Sequence, residues 1–445
     1  MHTPKFVKRF CAGIGFHALT SSKRDVKLLI LLRMIRLFGC GGATLILALY
    51  LSALGFSDSK IGLFMTLTLV GNLLVSVIMT YIGDAMGVRV TIAIGALFMA
   101  VSGFAFANLD NYWLLLLASV AGVINPSANE VDPFKAVEES AIARLSQPED
   151  CSDIFAWWSM LGMFGTAGST VLTGSAIEIL QDHGGLSTLD SYRIIFFAYS
   201  ALAHRNTSIP GIARDSAVAR GRARKSIQCY DPVPIQQRFN STAEANRDLH
   251  TRILLFRLEL CLAMGLDFIG SGLAQISWMS YFFKREYHVA EGQLGLAIFI
   301  ASLTSSVLNL ASSPLARAIG QVPTMVVCHT INSVSRLMIS VPNKTLALLL
   351  LIFRIVTREL DNAPRQAFIS AGVLDEERAS AMGMVNITKT IGSCIGLFLT
   401  GQLADMGKFS VAFILAGCLK LGYNVLISAF FWRTKRGKGV HVEGT

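Results

Sequence analysis

The stretch that decides the fold is residues 49–91, LYLSALGFSDSKIGLFMTLTLVGNLLVSVIMTYIGDAMGVRVT. It aligns without a gap to residues 282–324, FFKREYHVAEGQLGLAIFIASLTSSVLNLASSPLARAIGQVPT, at a constant offset of 233. The matched positions include Ile61-Gly62 over Leu294-Gly295, Gly83-Asp84-Ala85-Met86-Gly87 over Ala316-Arg317-Ala318-Ile319-Gly320, and Thr91 over Thr324. A second match, at an offset of 229, places Glu130-Val131-Asp132 over Glu359-Leu360-Asp361. Two matches in the same order indicate an internal duplication, and parallel repeats of six helices are a known transporter architecture.

The composition indicates a membrane protein. Hydrophobic residues make up 53% of the chain, charged residues 15%, and the mean hydropathy is +0.54, whereas soluble domains carry about 25% charged residues. A spanning helix needs about 20 mostly apolar residues, and in lipid the backbone must satisfy its own hydrogen bonds. The sequence therefore predicts helices over residues 28–50, 60–82, 90–108, 113–143, 153–179, 190–204, 253–283, 291–313, 322–341, 345–373, 380–403 and 409–432.

The predicted fold is an all-α membrane protein with two pseudo-symmetric six-helix bundles. We expect an N-terminal tail (1–27), an N-terminal bundle (28–204), a basic central loop (205–252), a C-terminal bundle (253–432) and a C-terminal tail (433–445). The sixth segment, 190–204, has only about twelve apolar residues, so it crosses a bilayer poorly unless it recruits the residues before it. An altered gene product in residues 190–252 is one interpretation of this short segment.

The net charge of +10 lies mainly in the two tails and the central loop. Basic residues beside spanning segments mark the cytoplasmic side, which predicts that both termini are cytoplasmic and argues against a nucleic-acid partner. Asn206 and Asn240 head glycosylation sequons in the central loop. We expect both to be unmodified, since that loop would lie in the cytosol.

Charged side chains inside the apolar segments are the candidate site. A charge at the bilayer centre costs about 2.5–3.5 kcal/mol on insertion scales, so such residues face a bundle interior or an aqueous cavity. If residues 113–143 form one helix, Glu130 lies roughly 20 Å from the cytoplasmic end. The candidates are Arg36, Glu130, Asp132, Lys135, Glu139, Glu259, Asp267, Arg354, Arg358, Glu359, Asp361 and Arg365. Internal ion pairs that hold helices together are the alternative, and Arg33 and Arg36 could also extend to the cytoplasmic surface.

The loop Gly83-Asp84-Ala85-Met86-Gly87-Val88-Arg89 resembles a signature of the major facilitator superfamily. The resemblance implies a cytoplasmic latch formed by Gly83, Asp84, Gly87 and Arg89, weakened because Met86 and Val88 replace the usual basic residues. It also implies that the first, fourth, seventh and tenth helices line a central cavity. Residues 361–367, DNAPRQA, and 382–386, MGMVN, look like a poorly characterised fungal branch of that superfamily.

The predicted function is secondary active transport of a small polar or charged solute by alternating access, coupled to protons. A buried carboxylate can pair with an arginine in one state and take up a proton in another. The alternatives are a non-transporting membrane sensor or structural protein on the same fold, and a chain made transport-defective by its short sixth helix. No nucleophile elbow, HExxH or zinc-ligand spacing occurs, and the histidines look dispersed and mostly in loops, so no enzyme activity, metal or cofactor is expected. We expect a monomer in the lipid bilayer of the plasma membrane or of a vacuolar or other endomembrane.

Overall fold

The computed structural model describes residues 16–122, 124–126, 135–147, 150–207, 243–309, 319, 321–358, 360, 365 and 378–436. These residues form helices, turns and bends, with no β-strand among them. The prediction of an all-helical membrane fold is therefore confirmed for this part of the chain.

Helices follow one another along the whole described chain. The first are α1 (Phe16–Ser21), α2 (Arg24–Ala53), α3 (Asp58–Met86), α4 (Val88–Asn108), α5 (Tyr112–Ala121), α6 (Lys135–Leu145), α7 (Cys151–Asp182) and α8 (Thr188–Thr207). The rest are α9 (Ala243–Leu273), α10 (Ile276–Tyr287), α11 (Glu291–Asn309), α12 (Gln321–Met338), α13 (Lys344–Thr357), α14 (Arg378–Asp405) and α15 (Phe409–Arg436).

Five of the described helices are long and apolar enough to cross a membrane by themselves. They are Arg24–Ala53, Asp58–Met79, Val90–Asn108, Glu291–Leu308 and Phe409–Ala429. The pair Leu258–Leu273 and Ile276–Tyr287 adds a sixth if the two helices, bent by 40°, count as one span. The chain is thus a multi-pass membrane protein, while the number of twelve spans stays a prediction.

Three predicted segments are not single helices. In 113–143, α5 ends at Ala121 and residues 124–126 are not helical before α6 begins at Lys135, because Gly122 and Pro126 disfavour a helix interior. The depth estimate for Glu130 loses its basis with that correction. In 345–373, α13 ends at Thr357, where the amide of Arg358 bonds the Ile355 carbonyl in a tightened last turn.

The third correction is a break inside 253–283, between α9 and α10. Gly272 precedes the break and packs so closely on α14 that a Cβ there would lie 2.4 Å from the Ser393 carbonyl oxygen. Conversely, α8 is longer than the predicted segment 190–204: its 20 residues extend about 30 Å. The helix is therefore long enough to span, although its apolar part is short.

The chain divides into two compact units. Unit 1 comprises Met1–Leu54, Thr68–Gln237 and Ala290–Gly295, and unit 2 comprises Gly55–Leu67, Arg238–Val289 and Leu296–Thr445. The start of α3 belongs to unit 2, and the start of α11 belongs to unit 1. The predicted domain boundaries at residues 27, 204, 252 and 432 stay predictions.

Each of these two helix starts is fixed inside its own unit by an acid and a glycine. In unit 2, Asp58 accepts a hydrogen bond from the Tyr281 hydroxyl at 2.8 Å, and a Cβ on Gly62 would lie 2.8 Å from the Cα of Gly401. In unit 1, Glu291 accepts from the Tyr192 hydroxyl at 2.7 Å, and a Cβ on Gly295 would lie 2.2 Å from the Thr170 carbonyl oxygen. Asp58 and Glu291, like Gly62 and Gly295, are 233 residues apart, so the repeat is visible in the packing.

Candidate substrate and proton site

Unit 1 contains a buried ion cluster that joins α2, α6 and α7. The guanidinium of Arg36 donates two hydrogen bonds to the carboxylate of Glu138, at 2.6 and 2.9 Å. Arg33 lies 3.6 Å from the same carboxylate, and its guanidinium carbon stands 3.4 Å from the centre of the Trp158 ring. Both Arg33 and Glu138 are 0% exposed. We call Arg33, Arg36, Glu138 and Trp158 the arginine cluster.

The arginine cluster explains how charge is tolerated in this part of the bundle. A planar guanidinium matches a carboxylate in a two-bond geometry, which is stronger than a single neutral hydrogen bond. Stacking on an aromatic face adds a cation–π attraction. Because Arg33 and Arg36 are buried, the alternative that they extend to the cytoplasmic surface is wrong.

Unit 2 contains a second buried cluster, centred on the carboxylate of Asp267 in α9. One carboxylate oxygen, Oδ1, accepts from Lys420 in α15 and lies 2.8 Å from Nε2 of His329 in α12. The other, Oδ2, accepts from Arg365 at 3.1 Å. Asp267 is 2% exposed, and His329 and Lys420 are each 4% exposed. We call Asp267, His329, Lys420 and Arg365 the aspartate cluster.

The histidine of the aspartate cluster is held on its other side by polar partners. Its Nδ1 lies 2.8 Å from the amide oxygen of Asn424, and its ring packs edge-on against Tyr423 with centres 4.8 Å apart. The amide nitrogen of Asn424 donates to the Thr330 hydroxyl at 2.9 Å, and that hydroxyl donates to the Val326 carbonyl at 2.6 Å. The imidazole therefore has a defined partner on each ring nitrogen.

The break between α9 and α10 explains two further buried arginines. Arg336 of α12 donates to the Gly270 carbonyl at 3.0 Å, and Arg354 of α13 donates to the Ala274 carbonyl at 2.6 Å. The last carbonyls of a helix have no partner within it and carry partial negative charge. Arg354, one of the candidate site residues, thus stabilises the broken helix and lies outside the aspartate cluster.

The structure brings some of the predicted residues together and separates others. Asp267 and Arg365 contact each other, and Arg36 pairs with Glu138 in the other unit. Glu139, Glu259 and Arg358 are half-buried, and Lys135 is the first residue of α6. Glu130, Asp132, Glu359 and Asp361 lie outside the described residues. The predicted roles of these residues stay predictions.

Within the predicted latch, the structure describes the backbone turn at Gly87. Gly87 lies between α3 and α4 with a φ of +84°, a left-handed conformation that glycine adopts without steric cost. The side chains of Asp84 and Arg89 lie outside the described residues, so the latch stays a prediction.

Sequence reasoning missed four members of the two clusters, Glu138, Trp158, His329 and Lys420, and also Asn424, which bonds His329. The expectation that the histidines lie mostly in loops is wrong for His329, which is buried in the middle of α12. A signal was present, because Lys420 and His329 both sit inside predicted apolar segments. Neither residue lies on the first, fourth, seventh or tenth predicted helix, which the family resemblance implies as the lining of the cavity.

Comparisons with known proteins agree with this fold. Residues 260–444 match the family model described as Major Facilitator Superfamily. An uncharacterized membrane protein of Saccharomyces cerevisiae is 28% identical over 439 residues, 96% of this chain and 96% of that protein.

Solved transporter structures share the fold at low sequence identity. A crystal structure of a D-xylose-proton symporter has a TM-score of 0.66 and 15% identity, covering 90% of this chain and 96% of that one. The nucleoside transporter NupG has a TM-score of 0.67 and 14% identity, covering 92% and 99%. A bacterial homologue of the iron transporter ferroportin has a TM-score of 0.66 and 13% identity, covering 92% and 98%.

The class of protein follows from these findings: a multi-pass helical membrane protein with the fold of a major facilitator superfamily transporter. The resemblance to the major facilitator superfamily agrees with the family model that matches residues 260–444, and the yeast relative fits the fungal branch that the sequence indicated.

Proposed function

We propose that this protein is a secondary transporter that moves a small polar or charged solute by alternating access and couples that movement to protons. The observation that carries the proposal is the aspartate cluster, in which an acid, a histidine and a lysine are buried in helices α9, α12 and α15 and bonded to the half-buried Arg365. Ionisable groups inside a membrane protein are costly and are associated with substrate and ion pathways. A purely structural core would avoid that cost with apolar side chains.

The internal repeat supports alternating access. In parallel-repeat transporters, one repeat moves against the other around a site near the bilayer midplane. Here the repeat extends to matched acids and glycines at the starts of α3 and α11. The candidates Glu130, Asp132, Glu359 and Asp361 are part of the same proposal, since they occupy the second match of the repeat.

The test is solute flux in proteoliposomes that contain the purified full chain. Pentoses and nucleosides are the first solutes to try, because two proteins of similar fold are a D-xylose-proton symporter and a nucleoside transporter. Uptake of at least one solute class should rise with an imposed proton gradient and fall when a protonophore dissipates it. Protein-free liposomes give the background. If no class of solute crosses above that background, the non-transporting alternative is favoured.

The proposed setting is a monomer with both termini in the cytosol, in the plasma membrane or an endomembrane. The tails and the central loop are basic, which favours that orientation. The sequons at Asn206 and Asn240 provide the test: no shift in gel mobility is expected after glycosidase treatment of protein expressed in a eukaryotic cell. A glycan on either residue would place the central loop on the opposite side.

A further inference from the structure

We propose that the Asp267–His329 pair is the proton-binding site of this transporter, with Lys420 as the hydrogen-bond donor that replaces the proton when it leaves. The proposal rests on the proton coupling proposed above and assigns that coupling to two atoms, Oδ1 of Asp267 and Nε2 of His329.

The hydrogen bonds around Asn424 fix the tautomer of the histidine. The Thr330 hydroxyl uses its one proton toward the Val326 carbonyl, so it must accept from the Asn424 amide nitrogen. The amide oxygen of Asn424 then faces Nδ1 of His329 at 2.8 Å. An amide oxygen can only accept, and tautomers are assigned from such networks. Nδ1 therefore carries a proton.

With this tautomer, the contact between His329 and Asp267 reveals an additional proton. A neutral imidazole has one N–H group, and it is already used at Nδ1. Yet Nε2 and Oδ1 of Asp267 are 2.8 Å apart, a hydrogen-bond distance that needs a proton between the two atoms. Whether that proton resides on Nε2 or on Oδ1, the pair holds one proton more than a neutral imidazole and a carboxylate hold together.

Two cationic side chains surround the proton shared by Asp267 and His329. Lys420 bonds the same Oδ1 and lies 3.4 Å from Nε2, and Arg365 bonds Oδ2. Lys420 and Arg365 therefore place two cations at the carboxylate that shares the proton with His329. The charged or titratable residues described as buried or half-buried on the packed elements are Glu259, Cys261 and Asp267 on α9, Cys328, His329 and Arg336 on α12, Arg354 on α13, Lys389 and Cys394 on α14, Lys420 and Tyr423 on α15, and Arg365.

Loss of the proton changes the contacts between helices. When the proton passes from the pair to water, two lone pairs face each other across 2.8 Å, which is repulsive. The ammonium of Lys420 can then direct an N–H toward Nε2 and keep the imidazole satisfied. Protonation thereby changes whether Nε2 of the ring on α12 bonds α9 or α15, while Asn424 of α15 keeps its bond to Nδ1. A local change of charge that alters helix contacts in this way can bias a two-state element.

The first experiment observes the proton without transport. Protein labelled with ¹⁵N-histidine is placed in lipid nanodiscs, and the nitrogen spectra are recorded across pH. The difference between wild type and His329→Gln isolates one histidine of the eight, and exposed His183, changed in His183→Gln, is the control. We expect Nδ1 to stay protonated throughout and Nε2 to lose its proton as pH rises. A bare Nδ1 in the folded protein would overturn the proposal.

The second experiment uses Asn424→Leu, which removes the acceptor at Nδ1. The imidazole can then place its single proton on Nε2 and bond Asp267 without an extra proton. We expect solute exchange at equal concentrations to continue, while accumulation driven by a proton gradient falls to the level seen without the gradient. In His329→Gln, which removes one of the two proton-binding atoms, gradient-driven accumulation should fall to the same level. Full gradient-driven accumulation in both variants would contradict the assignment of the proton-binding site to Asp267 and His329.

Failure of this proposal is distinguishable from failure of the proposed function. If wild-type protein moves no solute, the transport proposal fails, and the spectra still report whether the pair holds the proton. If wild-type protein shows proton-driven uptake and the spectra give the opposite tautomer, only the assignment to Asp267 and His329 fails.

Discussion

The arginine cluster and the aspartate cluster both accommodate charged side chains inside a helical bundle, but they use different chemical groups. Each begins on the first helix of a repeat: Arg33 lies in α2, and Asp267 lies in α9 at the offset of 233 from Met34, the neighbour of Arg33. The arginine cluster joins two guanidinium groups, a carboxylate and an indole ring. The aspartate cluster surrounds its carboxylate with one guanidinium, one imidazole and one ammonium. Neighbouring positions on the first helices of the two halves therefore carry opposite charges, and the two clusters differ in their capacity for proton exchange.

This difference suggests a division of roles between the units. Arginine stays charged at any physiological pH, so the arginine cluster is suited to holding α2, α6 and α7 together. Histidine changes charge within the physiological range, so the aspartate cluster is suited to switching. Variants of the first cluster should change stability, and variants of the second should change coupling.

The largest expected effect on stability comes from Glu138→Gln. The substitution leaves two buried guanidinium groups without their shared carboxylate, and removing one partner of a buried ion pair costs about 3–5 kcal/mol. The free energy of unfolding in detergent, followed by tryptophan fluorescence, should fall by that amount.

The matched control for that variant is Glu139→Gln, one residue along α6 and half-buried. It changes the same charge at a position outside the arginine cluster, so a much smaller loss is expected. If both substitutions lower the free energy of unfolding equally, the stabilisation comes from charge on α6 in general and not from the contact with Arg33 and Arg36.

A smaller effect is expected from Arg36→Lys. Lysine keeps the positive charge but cannot make the two parallel hydrogen bonds that Arg36 makes to Glu138. A hydrogen bond to a charged group contributes about 1.5–3 kcal/mol, so the free energy of unfolding should fall within that range. An unchanged value would show that net charge alone stabilises the arginine cluster.

The general fold could be predicted from sequence, while the clusters could not. The apolar segments and the offset of 233 are properties of the chain read in one dimension, and they predicted the helices and the duplication. Which of Glu138 and Glu139 faces Arg36 could not be predicted in this way, because adjacent residues on a helix point about 100° apart. Only the packing of α6 on α2 shows that Glu138 is the one facing Arg36.

The aspartate cluster could not be predicted from sequence either, because its members are far apart along the chain. Asp267, His329 and Lys420 are separated by 62 residues for one contact and 153 for another. No local pattern specifies such contacts, and the helices that carry His329 and Lys420 lie outside the set that the family resemblance indicated. The prediction of unbroken helices over 113–143 and 253–283 was wrong for a local reason. Both segments are apolar enough to suggest one helix, but Gly122 and Pro126 lie at the first break and Gly272 precedes the second.

The smallest expected effect isolates the indole ring of the arginine cluster. Arg33 stands 3.4 Å from the Trp158 ring centre, and cation–π contacts contribute from about 0.5 kcal/mol at exposed sites to about 2 kcal/mol when desolvated. Trp158→Phe keeps an aromatic face and Trp158→Leu does not, so the leucine variant should have the lower free energy of unfolding. Repeating both changes in an Arg33→Met background completes a double-mutant cycle. If the difference between phenylalanine and leucine persists without Arg33, it reflects packing alone, and the indole is not part of the charge compensation that distinguishes this cluster from the one around Asp267.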